Sequence, residues 1–233
     1  MNSDQARQIN EKVENIVAKL TEYQAAEKTL FATSSFQTHS LPLLAILSKI
    51  RPRIPIVFLD TGYLFPETLK FRDEITAQLD LKLINIRPSV PKSDQRTPDG
   101  RLLFAADPNK CCHLNKVLPL EPFLHQHDIW ITGVRADQTQ TRAHFSWEQP
   151  GPHETTRFHP MLDWTAREIF EYRKQHSLPE HPLEKEGYLT VGCMPCTVPY
   201  LVSASEREGR WTGQQKTECG LHTELATKTT NPQ

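Results

Sequence analysis

The chain has 233 residues, which is enough for one domain of ordinary size with a full core. Its 27 Lys and Arg residues against 28 Asp and Glu residues give a net charge of −1, so the overall charge favours neither nucleic acid nor an acidic membrane as a partner. No apolar stretch reaches about 18 residues, and no transmembrane helix is expected.

Helical periodicities and short apolar runs alternate along the first 180 residues. Helices are expected at 4–25, 43–50, 66–79, 113–126 and 164–176, the last with Asp163 as its N-cap. Strands are expected at 29–33, 54–59, 81–86 and 129–133. Residues 88–110 are predicted to be irregular, and 144–157 to be a loop or hairpin. Alternating helices and apolar strands predict an α/β doubly wound fold with a mostly parallel sheet.

Polar turns follow three of the predicted strands, at 34–40, 60–62 and 133–142. In doubly wound folds, ligands bind beyond the carboxyl ends of the strands, so these turns are candidate binding loops. The hydroxyls of the 34–40 turn precede a helix and suit an anion, although the turn lacks glycine and an ordinary capping turn is the simpler interpretation. Five arginines are candidates for a sulfate or phosphate clamp, with solvated surface residues as the alternative: Arg135, Arg142, Arg157, Arg207 and Arg210.

Four of the five cysteines form two close pairs: Cys111 with Cys112, and Cys193 with Cys196. The N-terminus lacks the pattern of a secretory signal, so a cytoplasmic location is expected, where close cysteine pairs indicate metal or redox chemistry more often than disulfides. Thiolates suit zinc or an iron–sulfur cluster, and a four-iron cluster accepts adjacent cysteines more easily because it is wider than one ion. Buried apolar cysteines and a thioredoxin-like redox pair are the alternatives.

The fifth cysteine, Cys219, stands alone near the C-terminus, between Glu218 and Gly220. Lys216 and His222 lie close in sequence, and a nearby cation lowers the pKa of a thiol. Cys219 is therefore either a nucleophile on a mobile tail or a spectator thiol.

The chain resembles the assimilatory adenylyl-sulfate (APS) reductases, within the wider phosphoadenylyl-sulfate (PAPS) reductase family, from about Thr29 to His222. The resemblance rests on seven motifs: LDTG at 59–62 with PET at 66–68, Cys111-Cys112 with Lys116, GVR at 133–135 through Gln138 to Arg142, EGY at 186–188, GCMPCT at 192–197, EREGRW at 206–211 and ECGLH at 218–222.

The resemblance implies an adenine nucleotide α-hydrolase-like fold and reduction of APS to sulfite and AMP through an S-sulfocysteine on Cys219. A thioredoxin or glutaredoxin dithiol would release the sulfite. The [4Fe-4S] ligands would be Cys111, Cys112, Cys193 and Cys196. The substrate would be bound by Ser34, Ser35, Leu59, Asp60, Lys116, Arg142, Arg207, Arg210 and His222. An α/β domain would span residues 1–205 and a tail carrying the catalytic cysteine 206–233.

The four cluster cysteines favour APS over PAPS, and a homo-oligomer without nucleic acid or membrane partners is expected. The alternatives are a PAPS reductase, an enzyme that accepts both substrates, and a non-redox nucleotide-binding relative with structural zinc. Two positions depart from the usual family pattern: Gln37 stands where a glycine is usual, and Asn115 where many relatives have arginine.

Overall fold

A computed structural model describes residues 3–199, 209–212, 216 and 218–225. Its six strands form one sheet in the order β3-β2-β1-β4-β6-β5. The strands are β1 Leu30–Thr33, β2 Ile56–Leu59, β3 Leu83–Ile86, β4 Ile129–Thr132, β5 Glu148–Pro150 and β6 Thr156–Phe158. Only β5 is antiparallel to its neighbour among these described strands. The mostly parallel sheet is therefore as predicted, and residues 144–157 contribute a hairpin.

The α-helices of the described residues connect and cover the strands. They are α1 Ser3–Ala25, α2 Leu41–Leu47, α3 Pro66–Gln78, α4 Leu103–Ala106, α5 Pro108–Cys112, α6 Leu118–Gln126, α7 Gln140–Ala143 and α8 Ala166–Gln175. No helix in this part of the chain has both the length and the apolar composition needed to cross a membrane.

Both faces of the sheet are buried, because alternate strand residues point to opposite sides. On one face, Ala32 and Ile131 join a core cluster that includes residues of α1, α2, α3 and α8. On the other face, Phe31 and Trp130 pack with α6 and with Leu221 of the C-terminal segment. Layers on both faces of a parallel sheet confirm the doubly wound fold.

The structure differs from the sequence prediction at two helix starts and in the segment 88–110, which is predicted to be irregular but contains the short helix α4. The helix predicted from 113 begins at Pro108 as α5, where Asp107 Oδ1 accepts a hydrogen bond of 2.9 Å from the Lys110 N–H. It continues through a π-helical segment, His113–Val117, into α6. The predicted N-cap Asp163 is wrong, because Thr165 caps α8 in a reciprocal capping box with Glu168.

Candidate active site

A cavity of about 190 Å³ lies beyond the carboxyl ends of the central strands. Strand β1 lies between β2 and β4, so the chain crosses to one side of β1 first and to the other side later. Doubly wound folds bind ligands at such a switch point. Most of the predicted catalytic and substrate-binding residues line the cavity: Ser34, Ser35, Leu59, Lys116, Arg142, Arg210, Cys219 and His222.

The loop after β1 is built without glycine. Phe36 is buried and takes a left-handed φ of 53°, a role that glycine more often fills. The Phe36 N–H donates to Ser34 Oγ at 3.1 Å, and the Gln37 amide donates to Ser35 Oγ at 3.1 Å. Gln37 Oε1 also accepts from the Val191 N–H at 2.9 Å. The unusual Gln37 therefore ties this loop to the opposite wall of the cavity.

In the turn after β2, one predicted binding residue lines the cavity and the other stabilises the turn itself. Leu59 lines the cavity. The Asp60 carboxylate instead accepts from Arg87 Nε and Nη2 at 2.8 Å each and from the Gly62 N–H at 3.1 Å. Gly62 has a φ of +71°, a backbone conformation that glycine adopts more readily than residues with a side chain. The Asp60 side chain therefore holds the turn in shape, and its contact with a nucleotide stays a prediction.

The four paired cysteines line one small pocket beside the main cavity. Cys111 and Cys112 end α5, and the Cys193–Cys196 turn carries the other pair. All four are free thiols, and all but Cys196 are buried. Lys116, Arg210 and Trp211 line both this pocket and the main cavity, so the cysteine site adjoins the space for a ligand.

The spacing of these thiols tests which metal centre would fit. Among the described residues, no three cysteine sulfurs lie within 4.8 Å of one another. A tetrahedral zinc ion with Zn–S bonds of about 2.3 Å would hold its sulfurs about 3.8 Å apart. The four thiols therefore lack the close spacing of a bound zinc ion, and an all-thiolate donor set is the usual one for iron–sulfur clusters.

The electrostatics of the four thiols also favour a bound cation. Burial, followed by repulsion from neighbouring cysteines, raises the pKa of Cys111 to about 12 and that of Cys196 to about 11. A cationic metal centre would stabilise the thiolates and oppose this repulsion. The site therefore suits four thiolates only when positive charge is placed among them.

Cys219 lies against the Lys116 ammonium, with 3.8 Å between Sγ and Nζ. Burial acts to raise the pKa of the Cys219 thiol, but Lys116, a hydrogen bond from the Leu221 N–H and the charge of Arg210 bring this pKa below its ordinary value. The pKa of Lys116 is raised although its burial opposes this, because nearby cysteines, Cys219 above all, stabilise the ammonium. A thiol with a lowered pKa and a cation therefore face the same cavity.

Arg210 presents a guanidinium between the cavity and the cysteine pocket. Its Cζ lies 4.6 Å from the centre of the Trp211 ring, and it packs against Gly192, where an added Cβ would lie 2.1 Å from Nη2. The buried Nε of Arg210 has no hydrogen-bond partner among the residues that the structure describes. Since buried donors are normally satisfied, this arrangement suits an anionic ligand.

Asn115 is the second of the two positions that depart from the usual family pattern. It is buried, and its Nδ2 donates to the Cys111 carbonyl at 2.8 Å and to Gln95 Oε1 at 2.6 Å. Gln95 returns a hydrogen bond of 2.9 Å to Asn115 Oδ1. The side-chain amides of Asn115 and Gln95 therefore stabilise the backbone at Cys111, and neither carries a positive charge.

Comparison with known proteins agrees with this geometry. The phosphoadenosine phosphosulfate reductase domain matches residues 29–199. The chain belongs to this family. An adenosine 5'-phosphosulfate reductase of Salinibacter ruber is 38% identical over 82% of the chain and 76% of the relative.

Two solved structures support the fold of a family member. A phosphoadenylyl-sulfate reductase of Candida auris has a TM-score of 0.65 at 19% identity, over 85% of this chain and 98% of that one. The FMN adenylyltransferase of Candida glabrata has a TM-score of 0.61 at 16% identity, over 94% and 80%. The adenine nucleotide α-hydrolase-like fold predicted for this reductase family member is confirmed.

The remaining residues predicted to bind an anion in this reductase family member do not all lie at the cavity. The His222 Nδ1 lies 3.2 Å from Nη2 of Arg157, which is wholly buried behind the C-terminal segment. Arg135 is buried and bonds Asp137 at 2.9 Å. Arg207 lies outside the described residues, as does the predicted domain boundary after residue 205.

Sequence reasoning missed the role of Glu218. Its carboxylate is buried and receives a paired hydrogen bond from Arg142, at 2.9 Å from Nε and 3.0 Å from Nη2. The two residues are 76 positions apart, so no local pattern could reveal the contact. The sequence offered one indication of this role, which is that Glu218 directly precedes the candidate nucleophile Cys219.

Proposed function

We propose that this chain reduces adenylyl sulfate to sulfite and AMP; relatives of the chain are named adenosine 5'-phosphosulfate reductases. The observation that best supports this is the meeting of Cys219, Lys116 and Arg210 at one cavity beside four cysteines, with 3.8 Å between Cys219 Sγ and Lys116 Nζ. A thiolate surrounded by cations suits attack on a sulfur atom that carries several anionic oxygens.

The reaction is two successive displacements at sulfur. The Cys219 thiolate attacks the sulfate sulfur, a Cys219–sulfur bond forms, and the bond from sulfur to the phosphate oxygen breaks as AMP leaves. A thiolate of a thioredoxin or glutaredoxin dithiol then attacks Cys219 Sγ and releases sulfite. The second thiol of that dithiol resolves the mixed disulfide and returns Cys219 to its reduced form, so the dithiol supplies both electrons.

The cations have one task in this scheme, which is to neutralise charge on the phosphosulfate and on the departing AMP. Lys116 and Arg210 face Cys219, and Arg142, Arg207 and His222 are proposed to complete the set. Ser34 and Ser35 are proposed to bind the phosphate group, and Leu59 with Asp60 the adenosine. The attack gains most from donors that are already positioned before the charge develops.

The cofactor is proposed to be a [4Fe-4S] cluster held by Cys111, Cys112, Cys193 and Cys196. When bound, its cationic core would offset the charge of the four thiolates and hold them rigidly beside the ligand, while the dithiol carries the electrons. A cytoplasmic location and a homo-oligomeric state stay predictions from the sequence.

Anaerobic purification followed by a sulfite assay tests the proposal. The protein should be brown, should contain iron and acid-labile sulfide, and should form sulfite from APS with thioredoxin. Cys219→Ser should keep the colour and lose turnover, because a hydroxyl is a far weaker nucleophile than a thiolate. An active Cys219→Ser protein would refute the nucleophile.

Parallel assays with PAPS distinguish the nearest alternatives. Sulfite from PAPS alone would make the chain a PAPS reductase, and sulfite from both substrates would make it an enzyme of dual specificity. Zinc without iron, together with no sulfite from either substrate, would favour the non-redox nucleotide-binding alternative.

A further inference from the structure

Three potential metal ligands meet on the surface, where α6 contacts the turn before β6. Glu121 and His125 are four residues apart on one face of α6, and His153 lies in the turn. Glu121 Oε2 is 2.5 Å from His153 Nε2 and 3.9 Å from His125 Nε2, and the centroids of the two imidazole rings are 3.7 Å apart. One ligand atom from each residue lies within 4.8 Å of the other two.

We propose that these residues bind a divalent transition-metal ion of the zinc and nickel class. Two imidazole nitrogens and one carboxylate oxygen form a common ligand set for such ions, with a fourth position left for water. Tetrahedral ligands at about 2.1 Å from zinc lie about 3.4 Å apart, which falls between the two observed distances to Glu121. The ion would connect α6 to the turn that leads into β6.

Calorimetric titration of the untagged, cluster-containing protein with Ni²⁺ tests this site. Nickel is chosen because imidazole suits it, whereas thiolates favour zinc and copper(I). His125→Ala and His153→Ala should each lose a binding event that the wild type shows. His144→Ala removes another exposed histidine and should keep that event. Equal binding by all four proteins would overturn the proposal, as would loss of binding in His144→Ala.

A separate observation concerns the buried Glu218, next to the proposed nucleophile. Besides the two hydrogen bonds from Arg142, its carboxylate accepts one of 2.7 Å from Thr139 Oγ1. The side chains of Glu218 and Arg142 are only 2% and 7% exposed. Removal of one partner from a buried ion pair is strongly destabilising, so this pair restrains the segment that carries Cys219.

We infer that Glu218 is a positioning residue, which acts by fixing Cys219 against Lys116. This inference rests on the proposed function. Arg157 holds the same segment further on, with Nη2 at 3.4 Å from the Leu221 carbonyl oxygen. The Glu218–Arg142 ion pair therefore sets the approach of Cys219 to the sulfur atom.

The variant Glu218→Gln removes the charge of the carboxylate at nearly constant volume. With APS saturating and no reductant, transfer of the SO₃ group to Cys219 should slow by about a hundredfold, since a displacement of about 1 Å can cost that much. Amide hydrogen exchange at 220–225 should become faster, because the segment is held less firmly.

Glu224→Gln is the matched control, because Glu224 belongs to the same segment but bonds the half-exposed His113. It should leave both the transfer rate and the exchange at 220–225 near their wild-type values. An unchanged transfer rate in Glu218→Gln, or an equal loss in Glu224→Gln, would overturn the role of Glu218. If the wild type made no sulfite from APS, the proposed function would fail, and the exchange comparison would still show whether Glu218 restrains the segment.

Discussion

Gly192 allows the Arg210 guanidinium to reach the cavity, and Gly192→Ala should displace it. A Cβ at this position would lie 2.1 Å from Nη2 and 2.3 Å from Cζ of Arg210. To regain an ordinary contact of 3.4 Å, Nη2 must move by about 1.3 Å. Because the obstacle is the end of a flexible side chain, the fold should survive and the guanidinium should move.

The expected cost is in activity with adenylyl sulfate. A displacement of about 1 Å at a group that binds the reacting centre can lower the rate about a hundredfold, which is about 3 kcal/mol of transition-state stabilisation. The assay is kcat/KM for sulfite formation from APS, with iron and sulfide contents measured on the same samples, since Gly192 precedes Cys193.

Gly133→Ala is the matched control, because Gly133 also lines the cavity and its added Cβ would meet Leu43 at an ordinary 3.6 Å. It should retain most of the activity. Full activity in Gly192→Ala with an intact cluster, or an equal loss in Gly133→Ala, would refute the reasoning about Arg210.

Two further predictions concern stability. Thr165→Ala should lower the free energy of unfolding by about 1 kcal/mol, because it removes the cap of α8, whereas Asp163→Ala should change it by less than about 0.5 kcal/mol; equal effects in denaturant titrations would contradict the assigned cap. Burial lowers the pKa of His181 to about 4, and the nearby charge of Glu67 opposes this only weakly. Between about pH 6.5 and 4, His181 is therefore protonated in the unfolded chain but neutral in the folded one, so stability falls as the pH drops through that range. The stability advantage of the wild type over His181→Gln should therefore shrink over that range, and a constant difference would contradict the lowered pKa.

The fold was largely predictable because its central strands are short, apolar runs. Each of the four strands predicted from the sequence is present, since a parallel sheet covered on both faces needs apolar residues on both sides. The cap of α8 was also readable, since Thr165 and Glu168 have the capping-box spacing, but Asp163 offered an equally acceptable side chain. Helix starts are the less certain part because several residue types can cap.

The site was predictable only where its residues carry their own chemistry. The four paired cysteines could be selected as candidates from their spacing, and Cys219 as the unpaired cysteine with Lys216 and His222 near it in sequence; the fold brings Cys219 close to Lys116. The contacts of Glu218 and Asn115 could not be predicted, because each depends on a residue far away in the chain or on the burial of an amide. Such contacts are products of the tertiary fold, which periodicity and spacing do not describe.

The central claim is that Cys219 takes the SO₃ group from adenylyl sulfate. The most direct test is to incubate the reduced, cluster-containing protein with APS and no dithiol, and then to analyse its peptides by mass spectrometry while measuring AMP. The account predicts the added mass of one SO₃ group on Cys219, with AMP released in equal amount and the group removed as sulfite when thioredoxin is added. An unmodified Cys219, or the SO₃ group on another cysteine, would contradict it.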